Sequence, residues 1–270
     1  MNNLPLVSVL MVTYNQKHFI KEAIESILTQ DYDNLEIVIS DDGSNDGTQE
    51  ILREYKTKYP NKFILVLAEK NQGITKNCNS GLSFCKGKYI AFLAGDDLML
   101  SGKIRKQVEY MERHPKCAIC YHNLEVFDSD VNQFLRYFND KYNPAHEGNV
   151  SVTIKYGTFN CASSNMVKKE QIPLHGFDER ILMASDWLFW IETLLNGGEI
   201  HYIDEVLGKY RKHSNNVTAK KISRNYADQI KTSLIVLIKH PKYFKEVIFR
   251  YYFALKYLIT TKIFDYFRRC

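Results

Sequence analysis

Two adjacent aspartates, Asp96 and Asp97, follow directly on the apolar run YIAFLAG from Tyr89 to Gly95. Carboxylates side by side at the mouth of a dry strand repel each other, and a divalent cation relieves that repulsion. Oxygen ligation of a hard ion that keeps coordination positions open for phosphate oxygens suits Mg²⁺ or Mn²⁺. The competing structural reading is a solvated turn capping a helix that opens at Gly102. Three further polar clusters have the same placement after apolar runs: Thr13-Tyr14-Asn15, Asp41-Asp42, and Asn71-Gln72-Gly73 with Lys76-Asn77. Each alone has ordinary turn or cap composition. Farther on, Asp186 stands at the start of a helical pattern, where a carboxylate serves as a general base or as a cap. Arg211, Lys212 and His213 together offer cations to an anionic leaving group.

The elements around these clusters alternate regularly. Leu6 to Thr13 is a nearly unbroken β-branched and apolar run, the pattern of a strand buried on both faces of a parallel sheet. Phe19, Ile20, Ala23, Ile24, Ile27 and Leu28 follow helical spacing, and Leu35 to Ser40 reads as the next strand. A helix through Ile51, Leu52 and Tyr55, a strand at Phe63 to Leu67, a helix from Ile74 to Phe84 and a strand at Tyr89 to Ala94 continue the alternation. This order predicts an α/β fold with a doubly wound, mostly parallel sheet, whose ligands lie at the C-terminal ends of the strands. All four polar clusters fall there. Beyond Asp97 the pattern predicts a helix from Gly102 to Arg113, a strand at Ala118 to Phe127, an aromatic and polar stretch to about Gly157, a helix at Ser185 to Leu195 and a strand near Ile200 to Ile203.

The segments VLMVTYN (Val9 to Asn15), ISDDGSNDGT (Ile39 to Thr48), Asn71 and Gly73 with Lys76 and Asn77, and FLAGDD (Phe92 to Asp97), in this order and spacing, resemble the family 2 glycosyltransferases. That resemblance implies a GT-A fold, a Rossmann-like and mostly parallel sheet flanked by helices. It implies that Thr13 and Tyr14 flank a nucleotide base and that Asp41 or Asp42 hydrogen-bonds uracil. Lys76 stands where the family often has Arg, which suits a base or phosphate contact of a less planar kind. Asp96 matches the residue that contacts the ribose, and Asp97 the metal ligand. The Gly176-Phe177-Asp178 segment ahead of Ser185-Asp186 resembles the family's acceptor-side stretch and implies Asp186 as the base. Tyr210 to His213 resembles a segment whose histidine lies by the metal and diphosphate, so His213 is a second candidate ligand and Arg211 a donor contact. The chain departs from the family at Ala94 and Ser185, where acids are common.

The activity so implied is inverting, metal-dependent transfer of a sugar from a nucleotide-sugar donor, a UDP-sugar by the uracil contact, to a saccharide or lipid-linked saccharide acceptor of surface-polysaccharide or glycan type. A sugar-phosphate nucleotidyltransferase ranks behind it, since Val12 to Lys17 contains no glycine for a triphosphate loop. A two-carboxylate hydrolase and a nucleotide-sugar binding module without turnover are the other rivals.

The 270 residues, 45% of them hydrophobic, suffice for one α/β domain with an appendage. Residues 1–215 are the expected catalytic domain, with a nucleotide-binding half at 1–100 and an acceptor half at 101–215; residues 216–270 form a basic, aromatic helical extension. The net charge of +5 is uneven: acids are frequent up to Glu205, and Lys and Arg dominate from Lys209 onward. Helices mixing Tyr243, Phe244, Tyr251, Tyr252, Ile263 and Phe267 with Lys242, Lys245, Arg250, Lys262 and Arg268 suit an anionic membrane surface, or else a packed subdomain or dimer contact. Basic residues gathered on one helical end argue against nucleic acid as a partner. No leader-like N-terminus and no long uncharged apolar run is evident, which predicts a cytoplasmic protein, peripheral on the inner membrane face at most. Six scattered cysteines fit a reducing compartment, with Cys117 and Cys120 reading as buried thiols in a strand.

Overall fold

A computed structural model describes residues 4–214, 216 and 222–252. The valine-rich run predicted as the first strand becomes β1 (Val7–Thr13), which lies between β2 (Leu35–Asp41) and β4 (Tyr89–Ala94), with β3 (Phe63–Leu67) outside β2. All three pairings are parallel. Their register aligns Thr13 with Asp41 and Val12 with Ala94, so the polar residues after β1, β2 and β4 emerge along one edge.

Side chains of a strand alternate between faces, and both faces here are dry. Leu10, Val38, Ile90 and Phe92 enter one apolar cluster; Val9, Met11, Ile37, Ile39, Ala91 and Leu93 enter the other. The first is covered by α3 (Ile74–Leu82) and α6 (Ser185–Leu195), and the second by α1 (Ile20–Leu28), α2 (Thr48–Lys58) and α4 (Lys103–Arg113). α6 is apolar almost all round, with Trp187, Phe189 and Trp190 buried, as a helix between two layers must be.

The sheet continues beyond β4 in a different style. Its order is β3-β2-β1-β4-β8-β6-β9-β5, with β5 (Leu98–Met99), β6 (Cys117–Asp128), β8 (Met166–Lys168) and β9 (Glu199–Lys212), while β7 (Gln133–Tyr137) pairs with β6. Antiparallel pairs join β4 to β8 and β8 to β6, and the long β6–β9 pair is parallel. The predicted strand near Ile200 is thus much longer, reaching Lys212. Its second half mixes buried Leu207 and Arg211 with half-buried Lys209 and exposed Lys212, and its ladder to β6 supplies what composition does not. Two elements inside the aromatic stretch were not predicted: β7, exposed along its length, and the one-turn-plus α5 (Val150–Tyr156), capped by the Asn149 side chain accepting from the Ser151 N–H at 3.0 Å. Cys117 and Cys120 are buried free thiols in β6.

The C-terminal part begins with α7 (Ile222–Lys239), followed by a helix over residues 244–252. Val236 and Val247 enter the same apolar cluster as α6. Arg250 donates from Nη1 to the Tyr156 carbonyl and from Nη2 to Gln229 Oε1, both at 3.1 Å, and its guanidinium lies over the Trp187 ring. Among the described residues no helix is long and apolar enough to cross a membrane. The basic and aromatic positions from 253 to 270 lie outside the described residues.

Candidate active site

The turn after β4 is built for close approach. A Cβ on Gly95 would stand 2.3 Å from Gln16 Oε1 and 2.8 Å from Thr13 Cβ, so only glycine lets this turn pack on the β1 end. Asp97 turns inward and is only 2% exposed. Its Oδ1 accepts the Arg211 backbone N–H at 2.9 Å, and its Oδ2 accepts Ser163 Oγ at 2.5 Å. The same Ser163 hydroxyl accepts the Ala94 N–H at 3.1 Å. Burial, with the Asp96 charge beside it, pushes the Asp97 carboxyl up to about 8. A carboxylate held in that state is poised to gain from a cation.

Asp96 points the other way. Its Oδ2 lies 3.0 Å from His213 Nε2, and the Asn216 amide reaches the same oxygen at 3.5 Å. The His213 ring in turn packs on Phe19, centroids 4.6 Å apart. Arg211, 5% exposed, holds this turn: Nε donates to the Asp96 carbonyl at 2.7 Å, Nη1 to Ser129 Oγ at 3.2 Å, and Nη2 pairs with Glu22. Its guanidinium lies 4.8 Å from both the Phe19 and Phe127 ring centroids. Expected as a donor contact, Arg211 has its donors committed to the protein.

On the β1–β2 side the two aspartates divide the loops between them. Asp41 accepts the Ser44 N–H at 2.9 Å and Gln49 Nε2 at 2.7 Å, while Asp42 accepts the Gln72 and Gly73 N–H groups at 2.7 and 3.0 Å. Asn77 ties β1, β2 and α3 together, donating to the Thr13 and Ser40 carbonyls and accepting Ser40 Oγ. Asn15 takes a left-handed backbone (φ 52°) and its Oδ1 receives the Asn45 N–H at 3.0 Å. Thr13 is buried, whereas Tyr14 and Lys76 are exposed at the rim.

Asp186 lies in the first turn of α6. It is not the cap, which is Ala184; its Oδ1 accepts the N–H of the next residue, Trp187, at 2.9 Å. Burial raises its carboxyl to about 6. The Cys161 thiol is pushed up by burial and by Asp97, Asp186 and Asp96, and the Cys78 thiol by burial and by Asp186 and Asp42. Ser163, Asn216 and Phe19 touch these acids or their partners and were not singled out for it by the sequence: Ser163 and Asn216 sit in short irregular segments where no period marks them, and Phe19 reads only as an apolar position of the first helical pattern. Among the described residues no group of three or more His, Cys, Asp or Glu side chains converges as a metal cage.

The same region is matched from outside. Residues 8–171 fit the model of Glycosyl transferase family 2. The chain belongs to that family. An uncharacterized glycosyltransferase of Methanocaldococcus jannaschii, MJ1057, is 31% identical over 209 residues, covering 77% of this chain and 71% of its own length. The chain spans 60% of the length of the uncharacterized mycobacterial relatives that it matches at 29% identity. Among solved structures, S. aureus TarS 1-349 in complex with UDP-GlcNAc superposes with a TM-score of 0.68 at 19% identity, over 86% of this chain and 66% of that one. The mannosyltransferase PcManGT from Pyrobaculum calidifontis, in complex with GDP-Man and Mn²⁺, gives 0.69 at 20% identity, over 91% and 68%. The fold of this family 2 member is GT-A, with β1 to β4 as its parallel, Rossmann-like half.

Proposed function

We propose that the protein transfers a sugar from a nucleotide-sugar donor, a UDP-sugar by the uracil-side motif, to a saccharide or lipid-linked saccharide acceptor. The observation that carries this reading is the inward turn of Asp97 after β4, a buried carboxylate held by Ser163 Oγ and the Arg211 N–H and raised so that it favours a cation; beside it stands Asp186 in the first turn of α6, raised towards the range of a general base. Mg²⁺ or Mn²⁺ fits at Asp97. The side chain keeps a lone pair on each oxygen beyond its two hydrogen bonds, and with no cage of three or more His, Cys, Asp or Glu among the described residues the remaining ligands would be donor oxygens and water. Such an ion, when bound, neutralises the departing diphosphate. The neighbouring structures hold UDP-GlcNAc in one case and GDP-Man with Mn²⁺ in the other, which is consistent with this donor class.

Asp186 takes the acceptor hydroxyl proton, and with Asp97 assigned to the ion and Asp186 as the single base, the reading is one displacement with inversion at the anomeric carbon. Asp41 and Asp42 set the loops that frame the base, Thr13 and Tyr14 flank it, Lys76 reaches it from the rim, and Asp96 meets the ribose with His213 as its partner. An anionic membrane surface is the proposed support on the cytoplasmic side. Tyr226, Ile230, Leu234 and Ile238 recur every fourth residue on α7 and are exposed, as are Phe244, Ile248 and Tyr252 beyond it, beside Lys242 and Lys245.

A panel of UDP- and GDP-sugars, each with and without Mn²⁺, tests the reading by thermal stabilisation. A UDP-sugar should raise Tm only when the ion is present. No shift with any donor would overturn the assignment.

A further inference from the structure

The Asp186 carboxylate has a backbone partner, the Trp187 N–H, so its aim depends on how the main chain at the start of α6 is held. That start has no side-chain cap of its own: Ala184 occupies the cap position. The loop before it is held from two sides. Thr75 Oγ1 on α3 donates to the Ile181 carbonyl at 2.6 Å and lies 3.1 Å from Ser185 Oγ. From the opposite side comes Asp228 of α7, 1% exposed, whose Oδ2 accepts the Met183 N–H at 2.8 Å and the Ala184 N–H at 3.4 Å.

A buried carboxylate is costly unless hydrogen bonds and charge compensate it. The cation near Asp228 is Lys231 at 3.9 Å, itself half-exposed and weak as a partner. Most of the compensation therefore comes from the two loop N–H groups and from the positive end of α6, which begins at the next residue. A neutral side chain would fix the loop less tightly. The arrangement is a helix cap supplied from 44 residues away, across an interface between two helices.

We infer that Asp228 is a positioning residue for the base: it fixes the Met183–Ala184 backbone and thereby the direction in which Asp186 meets the acceptor. Building on the reading of Asp186 given above, this makes α7 part of the working site and not only a membrane-facing appendage. Misplacing a catalytic group by about 1 Å costs on the order of 10²-fold in rate.

Four proteins separate the possibilities: wild type, Asp186→Asn, Asp228→Ala and Asp228→Asn. The measurements are UDP affinity with Mn²⁺, kcat and KM for UDP release from UDP-sugars, and amide exchange over residues 181–187. Asp228→Ala should leave the UDP Kd and the donor KM within about twofold, lower kcat at least tenfold, and speed exchange at Met183 and Ala184. Asp228→Asn, which keeps an acceptor oxygen, should recover most of kcat. A kcat within twofold of wild type in Asp228→Ala, or unchanged exchange at residues 183–184, overturns the inference; a loss of Tm alone would mean a structural role only. Full kcat in Asp186→Asn would instead remove the base assignment, whatever Asp228 does. Should Asp228→Ala not fold, Asp228→Ser, which is polar but too short to reach the loop N–H groups, carries the same test through its exchange and kcat.

Discussion

Arg211 grips Asp97 with its backbone and Asp96 with its side chain: the main-chain N–H donates to Asp97 Oδ1 at 2.9 Å, and Nε donates to the Asp96 carbonyl at 2.7 Å. One residue at the end of β9 thus fixes both halves of a turn 114 residues earlier in the chain. The two aspartates then point apart, Asp97 inward to Ser163 and Asp96 outward to His213.

Truncating that clamp leaves the Asp96 carbonyl and Ser129 without their donor and opens the space between Phe19 and Phe127. Arg211→Ala should lower unfolding free energy by about 2 to 4 kcal/mol. Arg211→Lys, which keeps charge but not the fork, should fall between. Urea denaturation measures both. A loss under 0.5 kcal/mol for Arg211→Ala would show that the clamp is incidental (an order-of-magnitude threshold for surface substitutions).

For Asp97 the sign runs against stability. Its carboxyl is raised from the ordinary aspartate value to about 8, so the folded state favours the protonated form and loses stability as pH rises from about 4 towards 8. Without metal, Asp97→Asn should be more stable than wild type at pH 8 and similar near pH 4. The same variant should lose the Mn²⁺-dependent part of UDP stabilisation. Tm against pH, with and without Mn²⁺ and UDP, reads both effects.

Asp186 links activity to pH. A base raised to about 6 is protonated below that value, so kcat/KM should fall about tenfold per unit below pH 6 and level off above it. Asp186→Asn should lose about 10²- to 10⁴-fold in transfer. It should also gain about 3 kcal/mol of stability above pH 6, a gain absent near pH 4, because the wild-type charge is the costly form. A rate profile flat from pH 5 to 8 would argue against Asp186 as the proton acceptor.

Lys103 is a buried cost elsewhere in the fold. It opens α4 fully buried, its Nζ makes no hydrogen bond, and burial lowers its ammonium to about 7. Lowering a lysine below its unfolded value removes stability as pH falls from about 10 to 7, and the cost is complete below 7. Lys103→Met, similar in volume, should therefore be stabilising by roughly 3 to 5 kcal/mol at neutral pH and near neutral in effect at pH 10. Chemical denaturation at the two pH values decides it.

The sequence by itself determined the parallel half and its chemistry-bearing edge. The runs at β1, β2 and β4 are largely buried on both faces and β3 is wholly apolar, so period and composition mark them, and register then brings the residues after β1, β2 and β4 to one edge. Asp41, Asp42, Asp96 and Asp97 were legible for that reason, and so was α6 with Asp186 near its start. The division of labour was not. Asp41 and Asp42 each spend their oxygens on a different loop, and Arg211 spends its guanidinium inside the protein. Those commitments are distance-dependent hydrogen bonds between segments far apart in sequence, and no local period encodes them.

Only the tertiary structure decided which carboxylate is dry, which is paired with His213, and what holds the chain ahead of Asp186. Ser163 and Asp228 look like ordinary residues of a loop and a helix. They matter because β8 and α7 pack where they do, and packing between distant elements, unlike a strand or helix, leaves no repeat in the sequence.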